Sequence, residues 1–409
     1  MVVVACVLAL LGMFGPFSID TPFPAFAAIG EDLGVGTAAM QQVASVYLLA
    51  FAAMSIFHGP ISDAVGRKPV MITGAIVYAL ASVGCALAPS LPVLLAFRVL
   101  QGASAGAGTI ISRAVVRDLY DGERAQRLMS TIAMIFGIAP AIAPIVGGWL
   151  LTLGPWPLIF WFLSLFGVVV AVSVAVLLPE SLPRSERRPV KVRPMISGLA
   201  EVGRNWRFQR LSAASAFTFG AQFLYIGAAP IFIVHLLGLG SSDFWVFFVP
   251  MIGGMVTGAF LHGQLAGRLP GHILVAIGQV VGLTFAIANV ILAALPATSA
   301  TLPWAVVGPA GIAFGMGMAF PIFQLAMLDL FPRSRGSAAS MSTLLTLVLN
   351  SILVGLVAPL VTGSVLTLAA TSLGLLVLGQ GLWQWHRLDV RRELRAVEHP
   401  DAVDSLDLT

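Results

Sequence analysis

Long apolar runs separated by short charged clusters set the pattern of this chain. Residues 33–62, 69–97, 211–242 and 244–267 contain no Asp, Glu, Lys or Arg, and each is long enough for one membrane-spanning helix, which needs about 20 apolar residues. Three longer charge-free intervals, 128–179, 269–328 and 336–386, have room for two spans each. Each is punctuated near its middle by a turn signal: Gly154-Pro155-Trp156-Pro157, Pro296 to Pro303, and Gly363-Ser364. Residues 2–29 and 91–112 are apolar around a single charge, Asp20 and Arg98 respectively. The pattern predicts twelve helices, over 2–29, 37–58, 70–88, 91–113, 125–152, 157–178, 208–236, 242–266, 271–295, 302–328, 335–361 and 363–387. The runs are continuously apolar, whereas barrel strands alternate over about ten residues, so the prediction is helical.

Charge then orients the spans. With the N-terminus inside, the inner loops are 59–69, 114–124, 179–207, 267–270, 329–334 and the tail after 387. Every Lys and Arg except Arg98 falls in these loops or at the inner ends of adjoining helices, while the outer loops carry only Glu31, Asp32 and Asp243. That asymmetry predicts that both termini are cytoplasmic. Residues 1–29 lack a positive n-region, are too long for a signal peptide and hold Asp20, so they are read as the first span. Composition agrees: 58% of the 409 residues are hydrophobic and 10% charged, against about 25% charged in soluble domains. A soluble enzyme, a disordered chain and a nucleic-acid binder are excluded. The basic residues mark a membrane face, and the net charge is only +4. Cys6 and Cys85 lie in apolar runs and offer neither a disulfide framework nor metal-ligand spacing.

The expected fold is therefore an all-α polytopic membrane protein, with twelve transmembrane helices in two pseudo-symmetric six-helix bundles. The bundles cover residues 1–178 and 208–387, with a basic cytoplasmic linker at 179–207 and a cytoplasmic tail at 388–409. A faint internal repeat supports the division. Asp118-Leu119-Tyr120 and Met129-Ser130-Thr131 recur as Asp329-Leu330-Phe331 and Met341-Ser342-Thr343. His58-Gly59 and Gly66-Arg67 recur as His262-Gly263 and Gly267-Arg268. Duplicated halves of this kind rock against each other around a midplane site. The linker either lies on the anionic inner leaflet or is simply solvated.

Asp20 and Arg98 are the charges placed deep in the apolar runs. A charge there costs at least about 2.5–3.5 kcal/mol, so each needs a partner or a wet cavity. Asp20 lies roughly 14 Å from the outer end of its helix and Arg98 roughly 10 Å, at 1.5 Å per residue. Similar depth permits pairing or shared hydration. One alternative is a fixed ion pair that only holds helices together. The functional one is that Asp20 takes up and releases a proton in each cycle, with Arg98 offsetting the desolvation of its carboxylate. Pro16, Pro22 and Pro24 interrupt the backbone around Asp20, and helix interruption beside a polar group marks transporter sites.

The segment Gly59-Pro60-Ile61-Ser62-Asp63-Ala64-Val65-Gly66-Arg67-Lys68-Pro69 is predicted to be a tight inner loop, with glycines permitting the turn and Asp63 facing a helix N-terminus. As a spacing pattern it resembles motif A of the major facilitator superfamily. Gly15-Pro16 through Asp20, Pro22 and Pro24 resembles the first-helix motif of the twelve-helix drug:proton antiporters. Arg98-Val99-Leu100-Gln101-Gly102 resembles motif B, whose Arg the family associates with proton transfer. Gly137-Ile138-Ala139-Pro140, Ala143-Pro144 and Gly147-Gly148 resemble motif C, the fifth-helix antiporter signature. Arg117-Asp118-Leu119-Tyr120 is similar to the Bcr/CflA (bicyclomycin/chloramphenicol resistance) subfamily. The sequence departs from these patterns at Ala64, where motif A usually has a basic residue, and at Ala139 and Ala143, where motif C has glycines.

The resemblance implies proton-driven export of amphipathic, drug-like small molecules from a bacterial inner membrane, with no cofactor. Motif A (Gly59, Asp63, Gly66, Arg67, Lys68) would latch the inner face in the outward-open state. Some relatives carry a second acid near the position of Gly12; its absence here implies a simple proton stoichiometry through Asp20. The expected partners are the small-molecule substrate, protons and the lipid bilayer, with no nucleic acid, and the expected assembly is a monomer. Neutral polar and aromatic residues inside helices, Tyr47, Gln101, Gln222, Tyr225, Gln324 and Asn350, are candidates for a mixed apolar cavity; each equally suits an interhelical hydrogen bond. Met54, Met134, Met255 and Met316 could supply adaptable walls or plain packing. His58, His235 and His262 lie near helix ends. No HExxH, GxxxxGK[ST] or GxSxG occurs, so an ATP-driven pump or hydrolase has no support. Alternatives are a proton-coupled exporter or symporter of a native metabolite, such as a sugar or nucleoside derivative, and a non-transporting receptor. The receptor would need a soluble domain or long loops that the pattern does not provide.

Overall fold

A computed structural model describes residues 2–120, 128, 139–140, 142–187, 192–332 and 334–398. The first half comprises α1 (Val2–Asp20), α2 (Phe26–Asp32), α3 (Gln42–Val65), α4 (Arg67–Ala86), α5 (Leu91–Leu119), α6 (Ile142–Leu153) and α7 (Pro157–Leu177). After it come α8 (Val192–Arg204), α9 (Trp206–Pro230), α10 (Trp245–Leu265), α11 (Gly271–Ala294), α12 (Trp304–Asp329), α13 (Arg335–Ile352) and α14 (Val365–Glu398). Ten helices among the described residues are long and apolar enough to cross a membrane, and the bent pair Cys6–Gly15 and Phe17–Asp32 makes an eleventh. The span expected over 125–152 is described as α6 and at residues 128 and 139–140, and the remainder lies outside the described residues.

Local sequence explains the boundaries. Pro157 opens α7, where the missing N–H costs nothing. Asn205 caps α9, its Oδ1 accepting from the Phe208 N–H at 2.9 Å. The described residues with positive φ are all glycines: Gly34 (65°), Gly66 (116°), Gly238 (66°) and Gly267 (82°), a region open to residues without Cβ. Gly66 and Gly267 belong to the sequence repeat, and Gly34 and Gly238 have the same offset as His58 and His262. The repeat in letters is therefore also a repeat in backbone conformation.

Two expectations change. Residues 59–69 are not a loop. α3 continues to Val65 and α4 begins at Arg67, so Gly66 alone leaves the helix. Pro69 is accommodated because it falls in the first turn of α4, where the N–H has no intrahelical partner. The linker, in turn, contains α8, an amphipathic helix packed on α13 and α9, with Val202 buried.

Apolar side chains such as Leu80, Val176, Phe260 and Leu360 are more than half exposed, a surface that a bilayer solvates and water would not. Below, the basic end means the side of Gly66 and the linker, and the far end the opposite side. At the far end, side-chain hydrogen bonds join the two halves. Gln42 Nε2 donates to the Gly355 carbonyl (2.7 Å), and the Ser45 and Ser351 hydroxyls lie 2.9 Å apart. Residues Leu353–Val357 are wound as a π-helix there, and a Cβ on Gly355 would collide with the Ser45 side chain.

Candidate functional site

α1 ends at Asp20 because Pro22 and Pro24 cannot continue an α-helix; a short 3₁₀ turn, Phe23–Ala25, leads into α2. Asp20 thus occupies the last position before the break. It is buried, and its Oδ1 has no hydrogen-bond partner among the described residues. The break is packed from the side by Gly147 on α6, where a Cβ would lie 2.0 Å from the Thr21 carbonyl oxygen.

Arg98, on α5, is fully buried. Its Nε donates to the Val43 carbonyl (3.0 Å), and its Nη1 donates to the Ser18 carbonyl (2.9 Å) and to Gln101 Oε1 (2.8 Å). Its Cζ lies 4.5 Å from the centroid of the Tyr47 ring. Gln101 Nε2 donates in turn to Ser82 Oγ (2.7 Å), which donates to the Tyr78 carbonyl (2.8 Å). The Tyr78 hydroxyl is 2.6 Å from Ser18 Oγ, which closes a polar ring through α1, α3, α4 and α5.

Magnitudes separate the two charges. Hydrogen bonds to a charged group contribute about 1.5–3 kcal/mol each, so three of them offset the insertion cost of about 2.5–3.5 kcal/mol for Arg98. Asp20 has no comparable set of partners among the described residues. Nor do the two form the ion pair that their depth allows: no Asp20–Arg98 salt bridge occurs, and Arg98 Nη2 also has no partner among the described residues. The cation is held by three hydrogen bonds, and the carboxylate Oδ1 by none among the described residues.

The basic-end motif is built differently from expectation. Arg67 is its hub, with Nη1 2.5 Å from Asp63 Oδ1 and 2.6 Å from Ser62 Oγ, and Nε 3.0 Å from Asp118 Oδ2. The N-terminus of α4 is faced by Glu180, whose Oε1 accepts from the Arg67 N–H at 3.0 Å. Asp63, expected in that role, is instead committed to the Arg67 guanidinium. Gly66 is needed for its φ and because a Cβ there would strike Glu180 and Arg187. Gly59 faces open space, and its use is local, since it precedes Pro60 inside α3, where a Cβ would be crowded. Lys68 lines a separate cavity with Glu180.

Gly102 permits α5 to approach α3, a Cβ there falling 2.2 Å from the Tyr47 carbonyl oxygen. Of the motif C residues, Gly137 lies outside the described residues. Pro140 is half-buried, and Pro144, Gly147 and Gly148 are buried on or beside α6. Gly148 faces the other half, its Cβ position 2.5 Å from the Ser241 carbonyl oxygen. Among the cavity candidates, Gln101 and Tyr47 belong to the Arg98 ring. Tyr225 accepts from Asn289 Nδ2 at 2.6 Å, tying α9 to α11. Gln222 Oε1 and Asn350 Oδ1 are buried without partners among the described residues, and Gln324 is half-buried near the basic end of α12. Ser18, Tyr78, Ser82 and Asn289 were not singled out from sequence. The available signal was the spacing of Tyr78, Ser82 and Cys85, which puts polar atoms on one face of an apolar helix.

Apolar helices long enough to cross a membrane, with a buried and unequally satisfied Asp20 and Arg98 inside the first half, define a polytopic membrane transport protein. The family model described as Major Facilitator Superfamily matches residues 8–359, and the chain belongs to that superfamily. It is 29% identical over 360 residues to a Bacillus subtilis protein named uncharacterized MFS-type transporter YdgK, covering 87% of this chain and 88% of the relative. It is 29% identical over 270 residues to the bicyclomycin resistance protein homolog of Haemophilus influenzae, covering 66% and 68%. It is 28% identical over 314 residues to the Escherichia coli multidrug resistance protein MdtL, covering 77% and 78%. Among solved structures, a bacterial homolog of the human lysosomal transporter Spinster, inward-facing and unoccupied, superposes with a TM-score of 0.72 at 18% identity over 96% of this chain and 97% of that one. A D-xylose-proton symporter gives 0.71 at 13% identity over 92% and 96%. These two share the fold.

Proposed function

We propose that this protein is a proton-coupled antiporter that exports drug-like, amphipathic small molecules across a bacterial inner membrane by alternating access. The basic end and both termini face the cytoplasm. The observation that carries the proposal is the buried Asp20 carboxylate, which has an unpartnered oxygen at a helix break and a cation held on the Ser18 carbonyl two residues away. The names of the bicyclomycin- and multidrug-resistance relatives support the cargo class.

In this cycle Asp20 binds a proton when the site opens at the far end. With its carboxylate neutral, the site turns to the basic end, where substrate binding and proton release favour one another. Coupling requires that substrate bind the two protonation states unequally. The Gln42–Gly355 and Ser45–Ser351 contacts hold the far end shut and part when it opens. The Arg67 hub is formed within the first half while the far end is shut; in the opposite state the motif A segment, Gly59, Asp63, Gly66, Arg67 and Lys68, latches the basic end. Arg98 positions the backbone beside Asp20. Gln222, Gln324 and Asn350 offer polar atoms to the cargo, and the proton gradient supplies the driving force without a resident cofactor.

Proteoliposomes with a pH-sensitive dye in the lumen test the direction. Substrate added outside alkalinises the lumen for an antiporter and acidifies it for a symporter of a native metabolite.

A further inference from the structure

Apart from the Asp20–Arg98 site, the described residues line an open cavity of about 590 Å³ on the surface of the basic end, between the first turns of α4 and the segment that follows α7. Three cations line it, Lys68, Arg184 and Arg187, against one carboxylate, Glu180. Glu180 is already engaged: Oε1 accepts from the N–H groups of Arg67 and Leu182, and Oε2 lies 3.5 Å from Arg187. Lys68 and Arg184 have no anionic partner among the described residues. The cavity therefore presents surplus positive charge.

The other walls are apolar, with Ile72 on α4 and Leu182 on the facing segment. Ile72 continues down α4 as Ile76 and Leu80, spaced four residues apart on one face, and both are exposed (47% and 65%). α7 packs beside α4 and exposes Val172 and Val176 near the same end. A cationic mouth thus opens onto an apolar strip that runs toward the membrane midplane.

We propose that this cavity binds the phosphate headgroup of an anionic phospholipid from the leaflet at the basic end, with its acyl chains along the α4–α7 strip. Free phosphate would satisfy the cations but leave the apolar wall and strip unused; a phospholipid complements both. The site also bears on motif A. A phosphate that recruits Arg187 draws it from Glu180, whose other oxygen caps α4 beside Gly66. The proposal does not depend on the nature of the transported cargo.

The test is native mass spectrometry of the purified full-length protein titrated with dioleoyl phosphatidylglycerol or dioleoyl phosphatidylcholine, with and without millimolar inorganic phosphate. Two variants accompany it: Arg184→Gln with Arg187→Gln, and Thr73→Trp, which adds bulk at the cavity wall and alters no charge. Circular dichroism matching the parent qualifies each variant. The expected result is preferential binding of phosphatidylglycerol, weakened about fivefold for each arginine removed, weakened also by Thr73→Trp, and unaffected by phosphate. Equal binding of the two lipids, or parental binding by both folded variants, overturns the site. Displacement of the lipid by inorganic phosphate overturns the lipid in favour of a free anion.

Discussion

Arg98 grips the main-chain carbonyl of Ser18, 2.9 Å from its Nη1, and so holds the backbone two residues ahead of Asp20 without pairing with the carboxylate. The charge that organises the site and the charge free to change are thereby separated. A direct ion pair would commit both.

Arg98→Lys tests the organiser. A single ammonium cannot match the planar fork that serves Val43, Ser18 and Gln101 at once. At least one buried acceptor loses its partner, at a cost of about 1–3 kcal/mol. The expected outcome is a lower thermal midpoint in detergent and transport reduced at least about tenfold, with the protein still inserted. Parental transport by the lysine variant would show that charge alone suffices.

Opening of the far end is tested by joining Ser45 and Ser351, whose hydroxyls are 2.9 Å apart across the two halves. Ser45→Cys with Ser351→Cys should form a disulfide under mild oxidant and stop turnover, with recovery on reduction. Full turnover by fully cross-linked protein would mean that these ends need not part.

Close helix approach makes a contrast between two glycines. Gly147→Ala puts a Cβ 2.0 Å from the Thr21 carbonyl oxygen and should destabilise by about 1–3 kcal/mol, as overpacking does. Gly263 lies within α10 with nothing near its Cβ position; Gly263→Ala should stabilise by about 0.5–1 kcal/mol through backbone entropy alone. Thermal unfolding of both in one detergent checks the order, and equal shifts would contradict the packing at the α1 break.

Charge spacing predicts the helices well because lipid tolerates little unpaired charge, which leaves the spans as gaps between Asp, Glu, Lys and Arg. The helix break at Pro22 and Pro24 and the special geometry of Gly66 are legible for the same local reasons. Other features are not local. The partners of Arg98 include the carbonyls of Val43 and Ser18, and a main-chain acceptor carries no mark in a sequence. Glu180 reaches Arg67 across 113 positions of chain, so its capping of α4 follows from packing rather than spacing. Residues 59–69 look like a loop because Gly, Pro and charge cluster there. In the fold, one glycine makes the turn and Arg67 gathers the charges inward.

Proton release on substrate binding by Asp20→Asn, beside the parent, tests the central claim most directly. The ligand is a lipophilic drug chosen from a resistance panel in an efflux-deficient host, added to each purified protein in weakly buffered detergent with a pH-sensitive dye. The account predicts that the parent releases protons and binds more tightly as pH rises. It predicts that Asp20→Asn still binds the drug, releases none, and shows no pH dependence. Undiminished proton release by Asp20→Asn would contradict it.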